Sequence, residues 1–523
     1  MSLASTSASL LEQSAPQLRR LIGAKALSPR ELLDACIARI EAVNPLVNAV
    51  TATAFEQARE QAREAERAVM RGEPLGLLHG LPVGVKDLEP TAGLLTTFGS
   101  PNFRGFVPEQ DVELVARLRR AGGIVTAKTN VPELGAGANT RNPVWGATGN
   151  PFDPNLNAGG SSGGAAAALA CDMLPVCTGS DTGGSLRIPA ALCGVVGFRP
   201  SPGLVPNTRR LLGWSPISVV GPMGRTVEEA CLQLAATAGP HPGDPLSYPV
   251  DARAFLALRP ADLGTLRVGY TEDFGCCDVD PAIRATFRAR VQALARHFAC
   301  CDELRFDLGD VHRCFDVLRA EAFVAATREA YERDPASLGP NPRANYEIGM
   351  RMSLADSAWA QAEQGRILQR WRATLGGYDL LLAPTTPVSP FAWTQPHAEL
   401  IDGRAQANYY RWLALTYVVT LTTLPAITLP CGTDDRGMPF GLQVVGGFRG
   451  DAALLGAALA LEQACAGRPD LRRPRPDLAA LRPAEPALRS IVTAPPLGHP
   501  GHPSPPHPTN GRAVHAGASA SAV

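Results

Sequence analysis

The chain has 523 residues, of which 45% are hydrophobic and 19% charged, and its formal net charge is zero. This composition supports a folded core, and it leaves no excess of positive charge that would favour nucleic acid or an anionic membrane surface. Only three of the 49 basic residues are lysines, namely Lys25, Lys86 and Lys128. Lysine, unlike arginine, loses its proton when it is desolvated, so a retained lysine is a candidate base.

The sequence also lacks several targeting and metal-binding signals. Its first residues do not have the basic stretch and apolar core of a signal peptide, and no apolar run reaches the ~18 residues that span a bilayer. The twelve cysteines include no Cys-x-x-Cys pair, so we expect small buried side chains rather than metal ligands. We therefore expect a cytoplasmic protein with no metal and no cofactor, which binds neither nucleic acid nor membrane.

The first predicted elements are two helices. Residues 28–31 read Ser-Pro-Arg-Glu, a capping box with proline at the first helical position, and apolar residues follow at helical spacing through Ile40. A second helix is predicted from about Ala54 to Met70. We expect residues 1–75 to form helices that pack on the outside of the core.

A short buried strand is predicted next, and it ends at Lys86. Residues 76–85 are apolar and punctuated by glycines, and the pair Lys86-Asp87 follows. Burial at the end of such a strand disfavours the charged form of lysine and lowers its pKa.

Two clusters of glycine and serine follow. The first, residues 159–164, reads Gly-Gly-Ser-Ser-Gly-Gly and runs into an alanine-rich segment that predicts a helix over 165–170. The second, residues 181–187, reads Asp-Thr-Gly-Gly-Ser-Leu-Arg. Consecutive glycines let backbone N–H groups converge on one point, as in an oxyanion hole, and the candidate donors are Thr182, Gly183, Gly184 and Ser185.

Three other interpretations of these clusters are disfavoured. Gly159-x-Ser161-x-Gly163 fits the nucleophile elbow of α/β-hydrolases, but that motif needs a preceding hydrophobic strand, and residues 150–157 have loop chemistry. Neither cluster matches a phosphate-binding loop or a dinucleotide fingerprint. A flexible linker would not lead directly into a strong helix former.

The histidines bear on the choice of base. Of nine histidines, four lie in the C-terminal segment and none lies inside either serine cluster. A histidine close in space stays possible, but a serine–lysine arrangement needs none, and a second serine between nucleophile and lysine would explain the two clusters.

Beyond these motifs, short apolar runs alternate with helical stretches and predict an α/β fold. The runs are 124–125, 173–178, 266–270, 380–383, 427–429 and 443–445. From about residue 494 the chain is rich in Pro, Gly, His, Ala and Ser without periodicity, which is typical of disorder.

With Lys86, the Gly-Gly-Ser-Ser-Gly-Gly loop and the segment Asp-Thr-Gly-Gly-Ser-Leu-Arg-Ile-Pro-Ala in this order, the chain resembles the amidase signature family. Lys86 and Ser161 are 75 residues apart, and Ser161 and Ser185 are 24 apart, which fits the spacing of that family. The resemblance extends over about residues 15–467. It implies a single-domain α/β fold with a large mixed, twisted sheet covered by helices on both faces, assigned to residues 76–480, with 481–523 as a disordered tail.

The resemblance also implies the roles of individual residues. Ser185 would be the nucleophile, Ser161 the proton relay with a cis peptide bond to Gly160, and Lys86 the base. Asp181 and Arg187 are expected to form an ion pair that supports the nucleophile turn, and Ser162 is a further supporting residue.

The implied function is hydrolysis of a small carboxamide to a carboxylate and ammonia or an amine through an acyl-enzyme. The alternative is the glutaminase (A) subunit of a glutamyl-tRNA amidotransferase complex, which works with partner subunits. A catalytically silent scaffold is disfavoured because Lys86, Ser161 and Ser185 are all present. A small-molecule amide is the expected partner, and a homodimer is possible.

The substrate pocket is predicted outside these motifs. The candidate residues are Asn139, Arg141, Trp214, Tyr410 and Trp412. Arginine suits a carboxylate and tryptophan suits an aryl group, although a surface position for the arginine and core packing for the aromatic residues are equally open interpretations.

Overall fold

Eleven strands form one mixed sheet in the computed structural model, which describes residues 10–497. The strands in this part of the chain are β1 (Val50–Thr53), β2 (Pro82–Lys86), β3 (Ile124–Thr129), β4 (Arg141–Asn142), β5 (Gly146–Ala147), β6 (Val176–Asp181), β7 (Val196–Arg199), β8 (Val219–Gly224), β9 (Arg267–Tyr270), β10 (Cys300–Glu303), β11 (Leu380–Pro384), β12 (Leu400–Ile401), β13 (Arg404–Ala405), β14 (Ala426–Thr433) and β15 (Pro439–Val445). The main sheet has the order β1-β3-β2-β6-β8-β7-β14-β15-β11-β9-β10, and β4–β5 and β12–β13 form two short separate pairs.

Helices flank this sheet, as expected for the predicted α/β class. Those with both ends in residues 10–497 are α1 (Ala15–Gly23), α2 (Pro29–Val47), α3 (Phe55–Arg71), α4 (Glu113–Arg120), α5 (Gly163–Ala170), α6 (Arg187–Cys193), α7 (Val227–Thr237), α8 (Pro281–Ala295), α9 (Val311–Arg333), α10 (Pro340–Met350), α11 (Leu354–Thr374), α12 (Ala414–Thr422) and α13 (Asp451–Ala466). None of the helices in the described part of the chain combines the length and the apolar character needed to cross a bilayer.

Two predicted helices begin and end close to their expected positions. The capping box at Ser28 is formed and opens α2, and α3 covers almost the same residues as the predicted second helix. Apolar side chains of α2 and α3 pack together and against Ile124 at the start of β3. The helices therefore cover one end of the sheet, where their apolar faces are removed from water.

The parallel strands β3, β2 and β6 position the candidate site. β2 lies between the other two, and all five of its residues are buried. A strand with neighbours on both sides and buried faces has a near-continuous apolar sequence, as residues 82–85 do, whereas 76–81 precede the strand. Since the three strands are parallel, their carboxyl ends meet at one edge of the sheet, and Lys86 and Asp181 are the last residues of β2 and β6.

The other predicted strands are present, most of them with shifted boundaries. The run 173–178 becomes a strand only from Val176, because Asp172 has a left-handed backbone conformation, with φ of 52°, that turns the chain between α5 and β6.

The C-terminal segment differs from the expectation of a disordered tail over residues 481–497. Leu481, Ala484 and Leu488 are buried, and the Ala147 N–H donates to the Leu488 carbonyl at 2.8 Å. The polar and proline-rich composition of this segment predicted disorder, but three of its apolar side chains pack against the folded domain. Their burial depends on contacts with distant residues, which composition does not reveal. The remainder of the predicted tail, 498–523, and residues 1–9 of the predicted N-terminal segment lie outside the described residues.

Close packing of α5 on β3 is expected to make Gly164 indispensable to the fold. A Cβ at Gly164 would lie 2.2 Å from the Asn130 backbone nitrogen, whereas a Cβ at Gly365, in α11, would meet no atom within 4 Å. We expect Gly164→Ala to lower the free energy of unfolding by at least about 1–3 kcal/mol through overpacking. Gly365→Ala should raise it by about 0.5–1 kcal/mol, because alanine restricts the unfolded chain. Thermal and denaturant unfolding test this, and equal effects of the two substitutions would contradict it.

Candidate active site

Lys86 is held between two serines at the carboxyl end of β2. Its Nζ donates to Ser161 Oγ at 2.8 Å and to Ser180 Oγ at 2.9 Å. The side chain is fully buried, and burial lowers the pKa of Lys86 to about 7, although the charges of Glu89 and Asp181 act in the opposite direction. A substantial fraction of Lys86 is therefore neutral near pH 7, and its lone pair is then able to accept a proton.

Ser161 lies in the first Gly/Ser cluster, directly before α5. The Gly160–Ser161 peptide bond is cis, as the family resemblance implied. Thr140 holds this loop, because its Oγ1 donates to the Gly159 carbonyl at 2.8 Å and accepts from the Gly163 N–H at 3.2 Å. The buried Oγ of Ser162 has no hydrogen-bond partner, so its predicted supporting role is not visible in side-chain contacts.

Asp181 organises the second cluster from the end of β6. Its carboxylate accepts from the Gly184 and Leu186 N–H groups at 2.9 and 3.2 Å. The predicted ion pair with Arg187 is present at 2.9 Å, and Arg199 adds a second one at 3.1 Å. Burial alone would raise the pKa of Asp181, but the two guanidinium charges outweigh it and hold the pKa well below the usual range.

A second layer of contacts fixes the same loop from α12. Thr416 Oγ1 donates to the Gly183 carbonyl at 2.6 Å, and Arg187 Nη1 donates to the Thr416 carbonyl at 2.9 Å. Gly184 has φ of +123°, and a Cβ there would lie 2.2 Å from Thr416 Oγ1. Both the left-handed conformation and the close approach therefore require glycine.

The four predicted oxyanion donors are not equivalent. The Gly184 N–H is already bonded to Asp181, so it is not available to a substrate in this structure. The N–H groups of Thr182, Gly183 and Ser185 remain as candidates.

One cavity of about 160 Å³ brings the site residues together. Ser161, Ser180, Thr182 and Ser185 lie in its wall, and Ser185 is 8% exposed. The apolar part of the wall comes from Leu88, Leu134, Ile217, Val220, Ala322 and Phe323, and the charged part from Glu89, Arg209, Arg210 and Arg319. The cavity thus joins the two Gly/Ser clusters to segments 207–220 and 319–327, which lie far away in sequence.

The five predicted pocket residues do not line this cavity, which corrects that expectation. Asn139 donates to the Trp393 and Gln395 carbonyls, and Arg141 donates to the Thr394 carbonyl at 2.8 Å. They bind a neighbouring loop because its backbone carbonyls need donors.

The three predicted aromatic residues also lie elsewhere. Tyr410 and Trp412 are each 1% exposed and pack in the core. Trp214 is 80% exposed to solvent, because the loop that carries it lines the cavity with other side chains, including Leu212 and Ser215.

Two cavity residues that contact or influence Lys86 were not identified from the sequence. Ser180 lies directly before Asp181 in β6, and its Oγ accepts a hydrogen bond from Lys86 Nζ. Its position next to the second Gly/Ser cluster could have identified it as a site residue. Glu89 comes three residues after Lys86, and its N–H donates to the Lys86 carbonyl, which closes a tight turn. Burial raises the pKa of Glu89, while Arg209, Lys128 and Lys86 act to lower it.

Comparisons of sequence and of structure with known proteins all identify amidases and their relatives. The family model described as Amidase matches residues 31–455. An acylamidase of Rhodococcus erythropolis is 34% identical, with 86% of this chain and 94% of the relative aligned. The A subunit of the glutamyl-tRNA(Gln) amidotransferase of Acaryochloris marina is 33% identical, with 84% and 95% aligned. The crystal structure of a bacterial aryl acylamidase of the amidase signature enzymes superposes with a TM-score of 0.81 and 28% identity, covering 87% of this chain and 99% of that one.

Removal of the Asp181 charge should destabilise the protein strongly. Asp181→Asn leaves Arg187 and Arg199 buried without a counter-charge, and we expect a loss of about 3–5 kcal/mol in the free energy of unfolding. Asp278→Asn is the matched control, since its partner Arg404 is 74% exposed, and it should cost less than about 1 kcal/mol. Denaturant unfolding measures both, and similar losses would contradict the proposed importance of the buried pair.

The same carboxylate predicts a pH dependence of stability. Its folded pKa is depressed, so the stabilisation is present above the unfolded pKa of about 3.9 and is lost as the pH falls below it. Asp181→Asn should therefore lose part of the acid sensitivity of the wild type between about pH 4 and pH 2. An unchanged acid unfolding profile would contradict this expectation.

Proposed function

The chain belongs to the amidase family, and from this premise we propose that it hydrolyses a small carboxamide to a carboxylate and ammonia or an amine. The observation that carries the proposal is the buried contact of Lys86 Nζ with Ser161 Oγ, at 2.8 Å, beside the cavity that Ser185 also lines. A lysine that is neutral near pH 7 and bonded to a serine is suited to remove a proton, since a base works best with a pKa near the working pH.

The reaction begins with attack of Ser185 Oγ on the amide carbonyl carbon. A C–O bond forms, the Ser185 proton passes to Ser161 Oγ, and the Ser161 proton passes to Lys86 Nζ. Lys86 is thereby protonated, and the carbonyl oxygen carries the negative charge of a tetrahedral intermediate. The intermediate collapses when the C–N bond breaks, and the proton returns through Ser161 to the leaving nitrogen. An acyl-enzyme on Ser185 remains.

Hydrolysis of the acyl-enzyme repeats the same proton path with water as the nucleophile. The water oxygen forms a bond to the acyl carbon while a water proton passes through Ser161 to Lys86. The C–O bond to Ser185 then breaks, the proton returns through Ser161 to Ser185 Oγ, and the acid is released. The N–H groups of Thr182, Gly183 and Ser185 are proposed to stabilise the oxyanion in both halves. Asp181 supports them by holding the loop from its other side.

A second candidate function is that of the glutaminase (A) subunit of a glutamyl-tRNA amidotransferase, because the identity to such a protein, 33%, nearly equals that to the acylamidase, 34%. The two functions differ in what the chain does alone. We expect the purified chain to hydrolyse simple amides without partner subunits. Hydrolysis of glutamine alone, and only after partner subunits are added, would favour the amidotransferase function.

Replacement of the proposed nucleophile or base should abolish amide hydrolysis. We expect Ser185→Ala and Lys86→Met each to lower kcat by at least about 10³-fold, because each removes a step of the same proton path. Lys25→Met is the lysine control and should retain wild-type activity, since Lys25 does not line the cavity. Release of ammonia from a panel of aliphatic and aryl amides measures this. Activity that persists in Lys86→Met would contradict the proton path.

The pH profile should report the protonation of Lys86. Only its neutral form accepts the proton, so kcat/KM should fall as the pH drops below about 7. The negative charge of Glu89 favours protonated Lys86, so Glu89→Gln should lower that pKa and move the acidic limb to lower pH. Glu66→Gln, at a surface pair with Arg30, is the control and should leave the limb in place. An acidic limb that does not move in Glu89→Gln would contradict this assignment.

A further inference from the structure

Arg319 is a buried cation with only neutral protein partners beside the active-site cavity. It lies in α9, is 5% exposed and contributes to the cavity wall. Its Nε donates to Asn345 Oδ1 at 3.1 Å and its Nη2 to the Tyr409 hydroxyl at 2.8 Å. Within residues 10–497 it forms no ion pair, and its remaining nitrogen, Nη1, donates to no protein group and is not enclosed by protein atoms.

Aromatic rings hold the guanidinium plane in place. The Arg319 Cζ atom lies 4.8 Å from the ring centre of Phe323, 4.9 Å from that of Tyr410 and 5.7 Å from that of Tyr409. The rings stabilise the charge over the faces of the group, and Asn345 and Tyr409 occupy two of its edge donors. The Nη1 group is therefore fixed in direction, which reduces the conformational entropy that Arg319 loses when Nη1 binds a ligand.

The nitrogens of the other two cavity arginines are either bonded to protein or buried. Arg210 pairs with Asp244 at 2.7 Å. Arg209 forms no ion pair among residues 10–497, but Glu89 acts on its charge, its Nη1 donates to the Leu88 carbonyl, and its Nε and Nη2 are buried without a hydrogen-bond partner. Asp316, the acid three residues before Arg319 in α9, pairs with Arg411 at 2.8 Å. A buried guanidinium without a counter-charge is costly, so a bound anion would compensate Arg319.

Arg319 shares a face of α9 with Phe315, which reaches the loop that carries Ser185. Phe315, one turn earlier, reaches the nucleophile loop, since its Cζ would lie 3.0 Å from a Cβ on Gly183. Residues four apart share one face of a helix and are separated by about 6 Å along its axis. The backbone of Arg319 therefore lies about one helical turn along α9 from that of Phe315, on the same face, and Phe323 continues this face by another turn.

We propose that Arg319 binds a carboxylate of the substrate, so that the enzyme prefers amides whose acyl chain ends in a carboxylate a few bonds from the scissile carbonyl. This inference rests on the proposed amide hydrolysis and adds the substrate class. Glutaramate, with three methylene groups between its amide and its carboxylate, is the test substrate of this class. Pentanamide has the same chain with a methyl group in place of the carboxylate, which makes it the matched neutral substrate.

The ratio of kcat/KM for glutaramate to that for pentanamide tests the proposal. We expect wild type to favour glutaramate by about 10- to 100-fold, as a charge-assisted hydrogen bond in a desolvated site would give. Arg319→Met should bring the ratio close to one by lowering only the glutaramate value, and Arg319→Lys should retain part of the preference. Arg141→Met is the control, because Arg141 bonds the Thr394 carbonyl outside the cavity lining and should keep the wild-type ratio.

A binding measurement separates this proposal from the proposed function. Glutarate titrated calorimetrically into Ser185→Ala should bind about 10-fold more tightly than into Ser185→Ala with Arg319→Met. If pentanamide is hydrolysed but the ratio in wild type is one or less, or is unchanged in folded Arg319→Met, the carboxylate site is refuted while amide hydrolysis stands. If neither amide is hydrolysed, amide hydrolysis of this class fails, and glutarate binding alone decides the role of Arg319. If Arg319→Met does not fold, the wild-type ratio and Arg319→Lys decide it.

Discussion

The buried carboxylate of Asp181 is the interaction on which the candidate site depends. Four elements converge on it or its partners: β6 carries it, α6 provides Arg187, β7 provides Arg199, and α12 bonds Arg187 in turn. Because the charge is fully buried, it is stable only while these donors are in place. The same bonds hold the backbone that carries Ser185. The position of Ser185, the proposed nucleophile, thus depends on the integrity of the core.

Lys86 illustrates a second balance between burial and charge. Desolvation favours its neutral form, and the fields of Glu89 and Asp181 favour its protonated form. The pKa of Lys86, about 7, depends on both, since burial lowers it and the two carboxylates raise it. Ser161 and Ser180 then fix the direction of Nζ through hydrogen bonds. A strand end in a parallel sheet supplies such a position, because it is enclosed yet adjacent to loops.

The proposed reacting groups and most of the remaining cavity wall come from different parts of the chain. Residues 86–187 contain the proposed reacting groups, whereas loop 207–220 and helix α9 build most of the remaining cavity wall. Relatives with different functions, an acylamidase and one component of an amidotransferase, are almost equally similar in overall sequence. That similarity is expected when the shared part is the reaction centre.

Local sequence determined the features that depend on local interactions. The capping box at Ser28, the buried strand that ends at Lys86 and the glycine-rich turn before Ser185 all follow from residues close together in the chain. The family resemblance implied that Lys86, Ser161 and Ser185 lie in one site. The spacing of the motifs along the chain would not by itself have implied this. The pocket prediction failed because Trp412 is a core residue and Arg319 a cavity residue only through packing between distant segments. Tertiary structure decides such positions, since the burial and hydrogen-bond partners of a side chain depend on which elements the fold brings against it.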